Sequence, residues 1–177
     1  MAEPHIVVPV IDQAAAIMRL RTAVFREEAA LAGASQPAIA QHTSDWLLDD
    51  EVRDYAANYM SAWLNDAKVF YRIVLQDSAV VGLCLAQKGT EQTGHNYVAV
   101  VQLAPAIRRR GVGRRLMAEF EKMADPGLPV RLHVYRGNKA AISFYRQLGF
   151  SQTGEPETRA IGGDEVAVLV MQKPARV

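Results

Sequence analysis

Apolar positions recur along this chain with two periods, and the places where the period changes divide it into elements. Residues 6–10 form a short β-branched run. After it Asp12 stands where it can cap a helix, and Ile17, Leu20, Val24 and Leu31 recur at the spacing of one helix face. A looser stretch with Gly33 and Pro37 follows. In a second helix Asp49 and Asp50 suit the positive end of the dipole, and Val52, Tyr55, Tyr59 and Trp63 mark one face as far as Leu64. From Lys68 the period shortens. VFYRIVLQ and VVGLCLAQ read as strands joined by a turn at Gln76, Asp77 and Ser78, and a third strand covers 96–103, ahead of Pro105.

Helical spacing returns with Val112, Leu116, Phe120 and Met123, and Asp125, Pro126 and Gly127 end it. VRLHVY (130–135) is a further strand. Residues 138–148 read as a helix, with Gly149 where a left-handed residue is favoured. Two tail strands, near 150–153 and 165–172, are joined through Gly162 and Gly163. Strands joined by hairpins pair antiparallel, and strands separated by a helix can lie parallel. The expected class is therefore α/β (α+β): a mixed, mostly antiparallel twisted sheet of about six to seven strands with helices on both faces. No repeat, low-complexity tract or flexible linker interrupts it, so residues 1–177 are expected to form one domain.

Composition narrows the function classes. Half of the 177 residues are hydrophobic and 22% are charged, enough for a core that needs no disulfide or metal. Cys84 is alone, and His5, His42, His95 and His133 are too scattered for an HExxH helix, so no metal is expected. The longest apolar run, residues 79–86, is far short of the roughly 20 needed to span a bilayer. MAEPHIVVPV lacks the pattern of a signal peptide, and a cytoplasmic location with no membrane partner is expected. The net charge of +1 conceals an asymmetry. Residues 1–66 carry ten acids and four bases, whereas five arginines crowd into RRRGVGRR between Arg108 and Arg115.

That arginine-rich segment, VVQLAPAIRRRGVGRRL, is a strand, a glycine loop and the start of a helix. Free N–H groups at a helix start, with the dipole behind them, hold anions, and glycines let a diphosphate approach the backbone. The segment is not a Walker loop, since no Gly-Lys-Ser/Thr follows. Nor is it the dinucleotide fingerprint, since Leu116 occupies the place of the third small residue.

Arg108-Arg109-Arg110-Gly111-Val112-Gly113 resembles the R/Q-x-x-G-x-G/A acetyl-CoA motif of the GCN5-related N-acetyltransferases (GNAT), preceded by a strand ending in Leu-x-Pro. Downstream, Leu132-x-Val134, Asn138, Ala141, Phe144-Tyr145 and Leu148-Gly149-Phe150 resemble that family's next strand and helix. The resemblance covers about residues 68–172, with 12–64 as helices on the acceptor side. It implies a GNAT fold and an acyl-CoA-dependent N-acyltransferase, with acetyl-CoA as co-substrate and a small-molecule or peptide amine as acceptor. By the same resemblance, the backbone from Arg109 to Arg114 would cradle the pyrophosphate, and the loop arginines would neutralise the 3′-phosphate. Val101, Gln102 and Leu103 would offer backbone groups to the pantetheine arm, Asn138 would hydrogen-bond that arm, and Tyr145 would protonate the departing thiolate. A homodimer is compatible with an exposed late strand.

Each residue also has a plainer reading. The glycines can serve a tight turn, Tyr145 lies with Ile142 and Leu148 at core spacing, and Asn138 can be an N-cap. The arginines can bind nucleic acid, although no other basic stripe accompanies them, and no nucleic-acid partner is expected. The strand NYVAVVQL carries no acid to serve as general base; Glu91, His95 and His133 are the candidates, and the base stays unassigned. A non-catalytic acyl-CoA sensor is the alternative this gap leaves open. Asp45, Asp49, Asp50, Glu51 and Asp54, interleaved with Trp46, Tyr55 and Tyr59, suit either a cationic acceptor or simply a solvated helix start.

Overall fold

Asp77 and Ser78 both take left-handed backbone angles (φ 48° and 64°), the geometry of a two-residue hairpin turn whose twist suits its strands. In the computed structural model, which describes residues 2–176, this turn joins β2 (Val69–Gln76) to β3 (Ala79–Gln87). β1 (His5–Val7) lies outside β2, and β4 (Asn96–Leu103) follows β3, all antiparallel. β4 and β5 (Val130–Tyr135) pair parallel, as strands joined through a helix can. β8 (Asp164–Lys173) runs antiparallel to β5, and both β6 (Ser151–Gln152) and β7 (Glu157–Ile161) pair with β8. The sheet thus has eight strands, with the mixed, mostly antiparallel order expected. β7 is the unforeseen one: ETRAI is exposed at four of its five residues and lacks apolar alternation.

Helices cover both faces. α5 (Val112–Met123) and α6 (Lys139–Gln147) pack with Phe70, Val74, Cys84 and Leu132 on one face. On the other, α1 (Ala14–Ala32) and a rod over 49–65 pack with Tyr71, Ile73 and Leu83. The cap before α1 is made by Gln13, whose Oε1 accepts from the Val10 N–H at 2.9 Å, rather than by Asp12. α2 (Gln36–His42) occupies the stretch read as loose. Ser35 Oγ accepts from the Ala38 N–H, and Pro37 sits in the first turn, where its missing N–H costs nothing. The rod is α3 (Asp49–Asp54), a π-helical segment (Tyr55–Met60) and α4 (Ser61–Asn65). Its wide turn carries an extra residue, so burial passes from Tyr55 to Met60, and Tyr59, expected on the buried face, is 53% exposed. Leu31 is exposed as well, because α1 ends with its backbone against Gly137.

One irregularity opens the sheet. Leu85 pairs with Val100 while Ala86 pairs with Val98, so Ala99 is an extra residue in β4, a bulge that bends the strand. The β4–β5 ladder stops at Val98 and Leu132, just before it. Beyond that point the two parallel strands leave a gap between them, with α1 on one side and α6 on the other.

Candidate active site

The gap continues into a cleft of about 280 Å³. Its floor is β4 from Val98 to Gln102 and β5 from His133 to Tyr135; Asn138, Ala141 and Tyr145 line one wall, and Arg21, Phe25 and Glu28 of α1 the other. Trp46 and Arg159 also line it.

Tyr145 is held by Phe144 and Phe150 at ring distances of 5.1 and 5.6 Å. Burial keeps its phenol protonated well above the usual tyrosine range. The ring packs in the core, and the residue also lines the cleft. Asn138 is the N-cap of α6 and also lines the cleft. Its Oδ1 caps α6 by accepting from the Ala141 N–H at 3.0 Å, which leaves its amide N–H groups available on the cleft side.

The glycine loop lies at the C-terminal end of β4. Arg109 and Gly111 have positive φ (62° and 79°), and Gly111 is the N-cap of α5. The first bond of the helix runs from the Arg115 N–H to the Gly111 carbonyl at 3.0 Å, so the amides of Val112, Gly113 and Arg114 have no partner within the helix. Gly113 packs closely instead: a Cβ there would lie 3.1 Å from the Phe144 ring, which would have to shift by a few tenths of an ångström. Arg109, Arg110 and Arg114 are exposed. Arg108 differs. Its guanidinium is bound to both carboxylate oxygens of Glu27 at 2.5 and 2.6 Å, and its Nε donates to the Leu103 carbonyl at 2.9 Å. The ion pair holds the Glu27 carboxyl below the usual range and keeps the Arg108 guanidinium engaged, while the Arg108 N–H donates to the Pro105 carbonyl at 3.2 Å.

Two features were not legible in the sequence. Glu28 reaches the cleft, where Gln102 Nε2 donates to its Oε2 at 3.3 Å; burial pushes this carboxyl up to about 7, against the opposing pull of Gln102 and Arg108. Gln102 Oε1 is buried without any partner. The candidate bases named from sequence stand differently. Glu91 is exposed and, like His95, lies outside the cleft. His133 lines it, but Nδ1 meets the Tyr97 hydroxyl at 2.9 Å and Nε2 meets Glu157 at 3.3 Å. Burial and Arg159 lower the His133 pKa, against the opposing pull of Glu157. Asp45, Asp49, Asp50, Glu51 and Asp54 are exposed and none lines the cleft, whereas Arg21 and Arg159 do, both without a carboxylate partner among the described residues. Cys84 is fully buried and its thiol is pushed up to about 12, which makes it inert packing.

A sheet split by a bulge, with a glycine loop and free helix amides at the end of the split strand, is a scaffold suited to an anion beside a cleft. The profile of the Acetyltransferase (GNAT) family matches residues 37–150, and the chain belongs to that family. It is 27% identical over 132 residues to a mycothiol acetyltransferase of Renibacterium salmoninarum, covering 72% of this chain and 38% of that one. It is 32% identical over 80 residues to the N-terminal acetyltransferase B complex catalytic subunit naa20 of Schizosaccharomyces pombe, covering 44% of each. The chain thus spans less than half the length of these curated relatives. The PaiA N-acetyltransferase of Thermoplasma acidophilum, solved with coenzyme A, superposes with a TM-score of 0.68 at 19% identity over 98% of this chain and 99% of that one, a likeness of fold.

Proposed function

We propose that the chain transfers an acetyl group from acetyl-CoA to a primary amine of a small molecule or peptide, by direct attack in a ternary complex. The observation that carries this reading is the gap between β4 and β5, with a protonated, buried Tyr145 in its wall and the glycine loop at its end. Acetyl-CoA supplies a thioester, an acyl carbon open to a nitrogen nucleophile with a thiolate as leaving group. The free amides from Arg109 to Arg114 suit a pyrophosphate, and the exposed Arg109, Arg110 and Arg114 suit the 3′-phosphate. The backbone edge of 101–102, not paired with β5, and the amide nitrogen of Asn138 suit the pantetheine arm, whereas the Leu103 carbonyl is already bound by Arg108 Nε. Tyr145 donates its proton to the departing sulfur, a role that requires a phenol still protonated at working pH. Arg21 and Arg159 in the cleft favour an acceptor that carries an anionic or neutral group near its amine over a polycation. The lone buried thiol suits a reducing, cytoplasmic setting.

Calorimetric titration with acetyl-CoA, beside dephospho-CoA and NAD, tests the donor. Binding in the micromolar range, weaker for dephospho-CoA and absent for NAD, is expected; no binding to any of the three overturns the assignment.

A further inference from the structure

Direct attack needs a neutral amine, so a group in the cleft must take a proton from the ammonium before nitrogen reaches the acyl carbon. Tyr145 reaches the gap from the α6 face, and the opposite side is closed by α1. That helix offers Arg21, Phe25 and Glu28, spaced i, i+4 and i+7 on one face, with Glu28 the only carboxylate that lines the cleft among the described residues. Resting on the acetyl-transfer reading above, the geometry points to Glu28 as the base that deprotonates the acceptor amine, with Gln102 as the residue that positions it.

Three observations meet at this pair. Glu28 on α1 is anchored to β4, one edge of the gap, through Gln102. Gln102 is 8% exposed and its Oε1 has no donor, an unmet acceptor that natural cores seldom tolerate. A primary amide answers both states of a carboxyl group: its N–H donates to the carboxylate, and turned over, its carbonyl accepts from the acid O–H. An orphan carbonyl beside a titrating carboxyl is therefore what a two-state partner leaves behind while the carboxyl is ionised. The third observation is the set of groups that face Glu28. They are Glu27 beside it on α1, Arg108 from the loop after β4, Tyr135 on β5 and Tyr145 on α6, with Arg21, His133 and Arg159 elsewhere along the cleft. Arg108 is neutralised by Glu27, so no unopposed cation locks Glu28 in its charged form. The carboxyl titrates at about 7, where a base can both accept a proton and release it.

In the step assigned here the ammonium gives one proton to Glu28. The nitrogen lone pair forms the C–N bond, the C–S bond breaks with its electron pair on sulfur, and sulfur takes the Tyr145 proton. The second proton shed by nitrogen restores Tyr145, and Glu28 returns its proton to solvent.

The test follows thiol release from acetyl-CoA between about pH 5.5 and 9 with three probe amines: an alanine-first hexapeptide, spermidine and glucosamine. Wild type, Glu28→Gln and Gln102→Leu are compared, with acetyl-CoA affinity measured beside each. Glu28→Gln is expected to bind acetyl-CoA as wild type does, to lose about 10²-fold in kcat, and to lose the fall in rate below about pH 7. The N–H bond of Gln102 to the charged carboxylate is stronger than the bond its carbonyl can make to the neutral acid, so Gln102→Leu keeps that acid limb and moves it to higher pH, a shift that a purely structural role does not produce. Glu28→Gln turnover within about threefold of wild type, with the limb in place, overturns the assignment. If Glu28→Gln does not fold, the Gln102→Leu limb decides, and a limb that stays put overturns it. Wild type that binds acetyl-CoA and releases no thiol with any probe overturns the transfer reading itself.

Discussion

At the residue scale, Glu28 carries a cost that its neighbours only partly offset. Its folded-state pKa, about 7, lies above the ordinary 4.5, so between those values the folded chain binds more protons than the unfolded one. Stability therefore falls as pH rises through that window, and the loss is complete above it. Glu28→Gln removes the titration. The variant is expected to gain about 1 to 2 kcal/mol over wild type at pH 8 and almost nothing at pH 4.5, a figure discounted for the solvent that still reaches the side chain. Denaturant melts at the two pH values check it. The adjacent Glu27 shows the reverse case, with its carboxyl held ionised by Arg108. From sequence the two glutamates are indistinguishable. What separates them are partners 81 and 74 positions away, Arg108 for one and Gln102 for the other.

At the element scale, local pattern sufficed wherever an element makes its own structure. The β2–β3 hairpin, the helix after the glycine loop and the Asn138 cap of α6 all follow from neighbours in sequence. Pattern failed where the phase slipped or polarity hid the element. The π-helical turn moved Tyr59 off the buried face, Pro37 disguised the start of α2 as a loop, and β7 is too polar to alternate. The bulge at Ala99 is equally silent in NYVAVVQL, yet it creates the cleft. Gly111 is the position where backbone conformation bears most directly on ligand binding. At φ 79° an L side chain is strained whatever space surrounds it, and a Cβ there meets nothing within 4 Å. Gly111→Ala should therefore weaken acetyl-CoA binding by about tenfold through a distorted loop, measured by calorimetry, while the core stays intact.

At the scale of the whole molecule, the Arg108–Glu27 pair ties the two helix layers together where the sheet parts. It joins the loop that feeds α5 to the helix that carries Glu28. The pair is partly exposed, so its contribution is modest. Arg108→Ala is expected to lower Tm by about 2–4 °C and to raise hydrogen exchange in the last turns of α1, with acetyl-CoA affinity changed little because the guanidinium is already engaged. The proposed donor side draws on two runs of contiguous residues, RRRGVGRR and SFYRQLGF, and a site built that way leaves a motif in the sequence. The acceptor side is assembled from α1, β5 and β7, and its Arg21, Glu28 and Arg159 carry no local signature.

Acid and base on opposite sides of one gap is the central claim, and Tyr145→Phe tests it most directly. The ring stays and only the hydroxyl goes, so packing against Phe144 and Phe150 is preserved. Thiol release is expected to fall about 10²-fold with acetyl-CoA affinity unchanged. Turnover equal to wild type would contradict the account, because the proton for the departing sulfur would then come from elsewhere.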